Sequence, residues 1–184
     1  MAKDYTYLPP DIPEIFTSLV NETSTAMSTY LQGLGYDGSI LFVHDTWNKL
    51  VNRLTSLGQT VGTDKFKYPL IALIHSFEQV VSTDGFYEVS LDFLIVNRCD
   101  PTWFGEDRRS RNYVPVLNPI YAQFMSDISE SFKFHGYKER YYPHTKIDDY
   151  HMSENSEKNK LPDFVDAIHI KGLKLKVRDT SIEC

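Results

Sequence analysis

Three groups of residues in this chain have the types and spacing to do chemistry. His144, Asp148, Asp149 and His151 bring two imidazoles and two carboxylates into one short stretch, a donor set that suits a borderline divalent cation. Metal ligands must be held to a fraction of an ångström. This stretch is polar throughout, so the sequence favours a solvated loop over a metal centre. His44-Asp45 and His75 sit near the ends of predicted strands, where they could meet as a general base with its orienting carboxylate. The simpler reading makes Asp45 a helix cap and His75 a polar strand terminus. The third group, Glu106-Asp107-Arg108-Arg109-Ser110-Arg111, sets three arginines beside two acids. Carboxylates near a helix start interact favourably with its dipole, and arginines offer planar, bidentate donors to them or to a neighbouring subunit. With a formal net charge of −6, ion pairing within or between chains is a better reading of this cluster than contact with DNA phosphates. The chain contains no Gly-rich phosphate loop, Cys-x-x-Cys pair, His-Glu-x-x-His helix or Gly-x-Ser-x-Gly elbow. On these grounds no catalytic residue, metal ligand or cofactor is assigned, and the expectation is a protein that is not an enzyme.

The elements that must position these groups follow from periodicity. After an arm over residues 1–10 ending in Leu8-Pro9-Pro10, apolar residues from Ile12 to Leu34 fall on one helix face. Asp11 is the cap of that helix, Pro13 lies in its first turn and Gly33/Gly35 form its stop. A short apolar run, Ile40–Val43, precedes a second helical pattern, Trp47 to Leu57, stopped at Gly58. Tyr68–Ile74 reads as a strand buried on both faces. Residues 86–97 alternate, with Tyr87, Val89, Leu91, Phe93 and Ile95 on one side and Glu88, Ser90 and Asp92 on the other. These two strands pair as an antiparallel hairpin through Ser82-Thr83-Asp84-Gly85. Tyr113 to Phe132 gives the strongest amphipathic helix, with Pro115 in its first turn and Pro119 forcing a late start or a bend. Residues 138–163 read as an extended polar loop or a segment that orders only against a partner. Phe164–Val177 reads as a long strand whose apolar phase switches at Gly172, which predicts a β-bulge.

The whole is an α+β fold in one domain, residues 1–184. A mainly antiparallel sheet with a long hairpin is flanked by two or three helices, with an N-terminal arm and a polar insertion at 138–163 added. The aromatic content, 14% of the chain, is high, and Tyr-rich surfaces often serve protein contacts, although any one ring is more often core. Two cysteines, Cys99 and Cys184, do not make a disulfide framework, so a reducing compartment is expected. The start, Met-Ala-Lys-Asp-Tyr, has no apolar signal region, and no run approaches the ~18 apolar residues that span a bilayer, so no membrane association is expected.

The order of elements resembles the neck and tail-terminator-like structural proteins of tailed bacteriophages, which form rings between portal and tail. The residues that carry it are Trp103, Glu106, Arg108 or Arg109, and the run Tyr113-x-Pro115-Val116-Leu117-x-Pro119-Ile120-Tyr121. Tyr68-Pro69-Leu70-Ile71, the alternating strand at 86–97 and the closing run from Phe164 to Leu175 add to it. The likeness covers most of residues 68–177, and within the group it is closest to neck proteins of phages infecting gut Bacteroidota, the ring proteins of crAss-like viruses. The N-terminal helix with its arm and the 138–163 insertion depart from a plain tail terminator.

The resemblance implies a virion protein of the neck or tail region, assembled in the bacterial host cytoplasm. It implies a homo-oligomeric ring of about six or about twelve copies joined by heterologous interfaces. Its expected partners are the portal protein, a neighbouring ring or tail proteins, and packaged DNA that passes through an acidic lumen without sequence-specific binding. The candidate subunit or ring contacts are Thr83, Asp84 and Gly85 at the hairpin tip and Trp103, Glu106, Arg108, Arg109 and Arg111. Two other readings stand beside it: an assembly adaptor or chaperone of the same fold that never enters the particle, and a metal-dependent hydrolase using His44, His75 or the His144–His151 group.

Overall fold

An acceptor side chain followed by a proline starts the first helix. Asp11 Oδ1 accepts from the Glu14 N–H at 3.1 Å and Pro13 occupies the first turn, so α1 spans Ile12–Gly33 much as the apolar spacing predicts. The computed structural model describes residues 9–60, 62, 64–74, 77–82, 86–139, 142–150 and 163–178. In it α1 is followed by β1 (Leu41–Asp45), α2 (Trp47–Gln59), β2 (Leu70–Ile74), β3 (Gln79–Val81) and β4 (Phe86–Arg98). Then come α3 (Gly105–Arg108), a π-helical segment (Arg109–Leu117), α4 (Asn118–Glu130), β5 (His144–Ile147) and β6 (Val165–Arg178). No described helix is long and apolar enough to cross a membrane.

The fold is α+β, built on an open six-stranded sheet in the order β1-β2-β4-β6-β5. Among the described residues only β1 and β2 pair in parallel; the other ladders are antiparallel. Strands β2 and β3 lie in line along one edge of β4, from Leu70 opposite Val96 to Val81 opposite Tyr87. β2 pairs with β4 as expected, but the strand that leads towards Phe86 is the short β3, beyond which the Ser82 N–H donates to the Phe86 carbonyl at 2.7 Å; the expected tip residues Thr83, Asp84 and Gly85 lie outside the described residues.

Helices cover the two faces of the sheet unequally. One face buries Ile71, Leu73, Leu91, Phe93, Ile168 and Leu173 against α1 and α4, with the Phe16 ring 4.7 Å from Phe93. The other buries Leu70, Ala72, Leu94, Val96 and Ala167 against Leu50, Val51 and Leu54 of α2 and against Tyr150. Alternation in β4 therefore gives way after Asp92 to an unbroken buried run, because only that half is covered on both sides. The rest of the second face stays open as a groove of about 850 Å³ lined by Glu88, Ser90, Lys174 and Lys176.

The bulge forms where the phase switch predicts it. Leu91 faces Leu173 and Phe93 faces Ile170, so Asp92 alone opposes Lys171 and Gly172. Gly172 adopts φ 66°, and its N–H donates to Asp92 Oδ1 at 2.6 Å. The extra residue returns Leu173, Leu175 and Val177 to the face that holds Ile168 and Ile170.

Several local expectations are corrected. Asp45 ends β1 rather than capping α2; Thr46 is the cap residue, and Asp45 Oδ1 accepts from its N–H at 2.8 Å. Gly58 lies inside α2, since a glycine stops a helix by turning left-handed and Gly58 has no positive φ. The central helix neither starts late nor simply bends. It begins at Gly105, widens into the π-helical segment with Pro115 inside it, and tightens again with Pro119 in the first turn of α4. Pro119 has no N–H for the Pro115 carbonyl, and the Tyr30 hydroxyl donates to that carbonyl at 2.8 Å instead. Phe132 falls beyond the end of α4 and is 70% exposed rather than core. Residues 138–163 are not one loop: β5 pairs with β6 from His144 opposite Ile170 to Ile147 opposite Ala167, and Tyr150 is buried beside Trp47.

Candidate functional site

Asp166 is a carboxylate with no exposed surface at the apolar start of β6, next to Val165 and Ala167, and a buried charge is stable only with partners. Arg108 Nη1 and the Asp149 N–H, the latter at 3.3 Å, donate to its Oδ1, while Asn112 Nδ2 donates to Oδ2 at 2.8 Å. The same arginine spends its remaining donors nearby. Its Nη2 reaches Asp149 Oδ1 at 2.7 Å and its Nε the Trp103 carbonyl at 2.9 Å, while Nη1 also points at Cys99 Sγ at 3.5 Å. Asn97 Nδ2 extends the network to Asn112 Oδ1 at 2.8 Å and to the Tyr36 hydroxyl at 2.7 Å. Local structure explains the convergence. Asn97 and Asp166 are directly opposed across β4 and β6, Arg108 and Asn112 are four residues apart on the helix, and Asp149 holds φ 48° in the turn after β5.

The electrostatics make this a clamp. Burial works against the Arg108 charge, but the Asp149 hydrogen bond and the Asp166 charge outweigh it and hold the guanidinium above its ordinary pKa. Burial, reinforced by the Asp166 charge, pushes the Cys99 thiol up to about 12. Tyr113 is raised by burial and by the hydrogen bond it donates to Asp148 Oδ1 at 2.9 Å.

Among the described residues one group of possible metal ligands converges: Cys99, Asp149 and Asp166, whose ligand atoms lie within 4.8 Å of one another. A divalent ion there would need the Cys99 thiolate, which burial disfavours, and the place between both carboxylates is taken by the Arg108 guanidinium. The donor set fits an internal arginine better than a metal.

The histidine and aspartate groups singled out from sequence are dispersed. His144 has Nδ1 3.1 Å from the Tyr142 carbonyl and its ring 4.3 Å from Tyr121, whereas Asp148 and Asp149 turn to Tyr113 and Arg108. His151 lies outside the described residues, as does His75. His44 and Asp45 are adjacent in β1 and so project to opposite faces of the sheet.

The arginine cluster divides into an inside and an outside. Arg108 is 4% exposed and belongs to the interior, which corrects its reading as a surface contact. Above it, Arg109 pairs with Glu106 at 3.0 Å, Arg111 pairs with Asp107 at 3.4 Å, and all four side chains are exposed. The Arg111 guanidinium lies 5.7 Å from the Trp103 ring centroid, and next to it Phe104 is 82% exposed. Sequence reasoning missed Asn97, Asn112, Cys99 and Asp166. The available signal was a lone acid inside Phe164-Val165-Asp166-Ala167-Ile168, a place that demands a buried cation.

Comparison of the chain with protein-family models, with curated proteins and with solved structures found no match.

Proposed function

We propose that this chain is a structural subunit of a tailed-bacteriophage particle, part of a neck or connector ring between portal and tail. The carrying observation is the Trp103–Arg111 segment, which lies in the stretch that supports the family resemblance. It presents an exposed phenylalanine beside a stacked tryptophan and arginine, with charged pairs around them, and Arg108 clamps it from beneath. Aromatic and arginine side chains are the usual anchors of protein contacts, and a surface already ordered in the free subunit loses less entropy on docking. A ring of about six or about twelve copies needs two different faces per subunit, and this segment is one of them. The net charge of −6 suits a lumen through which DNA slides without adhering.

The test is quantitative mass spectrometry of purified particles against the major capsid protein. A count near about six or about twelve is expected for a cyclic ring. Absence from particles despite expression overturns the reading in favour of an assembly adaptor or chaperone. At residue level, Phe104→Ser with Arg109→Ala and Arg111→Ala should leave the fold intact and prevent incorporation into particles; normal incorporation would remove this segment from the interface.

A further inference from the structure

Two surfaces of different kinds lie at opposite ends of β4. At one end Asn97 faces Asp166, and Arg108 holds the Trp103–Arg111 segment over them, so that Phe104, 82% exposed, stands out as an apolar knob. At the other end Glu88 faces Lys176, and there the open groove of about 850 Å³ begins. Nine residues of β4 lead from Glu88 to Asn97, about 30 Å at ~3.3 Å per residue. The knob therefore cannot reach the groove of its own molecule. Both surfaces carry their charges in two rows. In the groove the acids Glu78 and Glu88 lie on the β3–β4 side, with half-exposed Val80 among them, and Lys174 and Lys176 lie on the adjoining β6 side. Neighbouring strands set these rows about 4.8 Å apart. On the knob Glu106 and Asp107 precede Arg109 and Arg111 by one turn, which sets acids and arginines about 5–6 Å apart. Exposed pairs such as Arg109–Glu106 and Lys176–Glu88 hold their partners weakly, so charges from a second surface can take their place.

We infer that the Trp103–Arg111 knob of one copy docks in the open groove of a second copy. Phe104 then packs on Val80 and His135, the two arginines lie along Glu78 and Glu88, and Glu106 and Asp107 lie along Lys174 and Lys176. The reverse orientation sets like charges together, so the rows fix one direction of docking. His135 is stacked on Phe86 at 4.2 Å, which gives the incoming ring an aromatic wall. Because knob and groove are different surfaces far apart on each copy, the contact is heterologous. Every dimer keeps one open knob and one open groove, and the contact continues into a ring or a filament. The inference rests on the proposed role of the Trp103–Arg111 segment as a contact face, and it supplies the surface that receives that face.

The test is sedimentation velocity of two variants of the full chain, alone and mixed, from about 1 μM to about 1 mM. Phe104→Ser/Arg109→Ala/Arg111→Ala removes the knob and keeps the groove, whereas Glu78→Lys/Lys174→Glu inverts the groove and keeps the knob. All of these side chains are exposed, so both variants should keep the urea midpoint of the natural chain. The natural chain should associate beyond the dimer, and each variant alone should associate at least about tenfold more weakly. An equimolar mixture should form a one-to-one dimer and nothing larger, because it holds one matched knob and groove. A natural chain that stays monomeric overturns the inference, and so does a mixture no more associated than its parts. Particle counting fails separately: a ring-like copy number beside an unpaired mixture would keep the ring and reject this contact, and a paired mixture from a protein absent from particles would do the reverse.

Discussion

Replacing Arg108 by Met tests whether the clamp is an ion cluster with Asp166 at its centre. The substitution keeps an apolar side chain of similar reach and removes the guanidinium, leaving a carboxylate with no exposed surface to Asn112 and one backbone N–H. Stranding one partner of a buried pair costs about 3–5 kcal/mol. For a chain of this size that lowers the melting temperature by roughly 6–20 °C, at ~2–4 °C per kcal/mol. Asp166→Asn should by itself cost about 1–3 kcal/mol, the worth of a hydrogen bond to a charged group, since Arg108 keeps Asp149. In the Arg108→Met background the same change should stabilise, because it removes the orphaned charge. The assay is urea unfolding of the four proteins, followed by the fluorescence of Trp47 and Trp103. Additive losses in the double variant would refute the reasoning, as they would show no coupling between the two residues. Arg109→Ala, whose partner Glu106 is exposed, should leave the urea midpoint unchanged.

Phe124 has no exposed surface and its ring lies 5.2 Å from Phe93 and 6.2 Å from Phe16, so Phe124→Ala should cost about 3–5 kcal/mol in urea unfolding. Unchanged stability would mean that this stripe of α4 is not core. Gly172→Ala should cost about 1–2 kcal/mol from the left-handed backbone alone, because the added methyl meets only Ser90 Oγ at an ordinary 3.7 Å. Calorimetry should show Gly172→Asn losing less, and equal losses would point to a steric cause. Cys99 should resist iodoacetamide at pH 8 in the native protein and react once urea is added. With its folded pKa raised, the thiol's contribution to stability is complete below the ordinary thiol value and fades as pH climbs towards about 12. Rapid native labelling of Cys99 would contradict both its burial and its protonation.

Local periodicity made the long elements legible. Alternation marks β4, the phase switch at Gly172 marks the bulge, and Asp11 with Pro13 marks the start of α1, since each of these is set by neighbours in sequence. What stayed hidden depends on distant partners. In β5, His144-Thr145-Lys146-Ile147 carries one apolar residue and becomes a strand only because β6 offers an edge. Arg108 looked like part of a surface cluster because its neighbours Asp107 and Arg109 are polar, whereas its burial is decided by Asp166, 58 residues away. Likewise Asn97 and Asn112 read as polar interruptions until β4, the helix and β6 meet.

The π-helical segment has a consequence for winding. At 3.6 residues per turn, every fourth residue of an α-helix creeps about 40° around the axis, so five such steps from Arg108 to Ile128 would place the two on nearly opposite sides. Yet Arg108, Asn112, Val116, Ile120, Phe124 and Ile128 are all buried. The wider turns between Arg109 and Leu117 creep the other way and offset much of that drift, joining a polar clamp and an aromatic core along one seam. A single-residue deletion that restored tight winding would leave Arg108 and Phe124 about 60° out of phase. The length of this segment, and not only its composition, therefore decides which way the clamp faces.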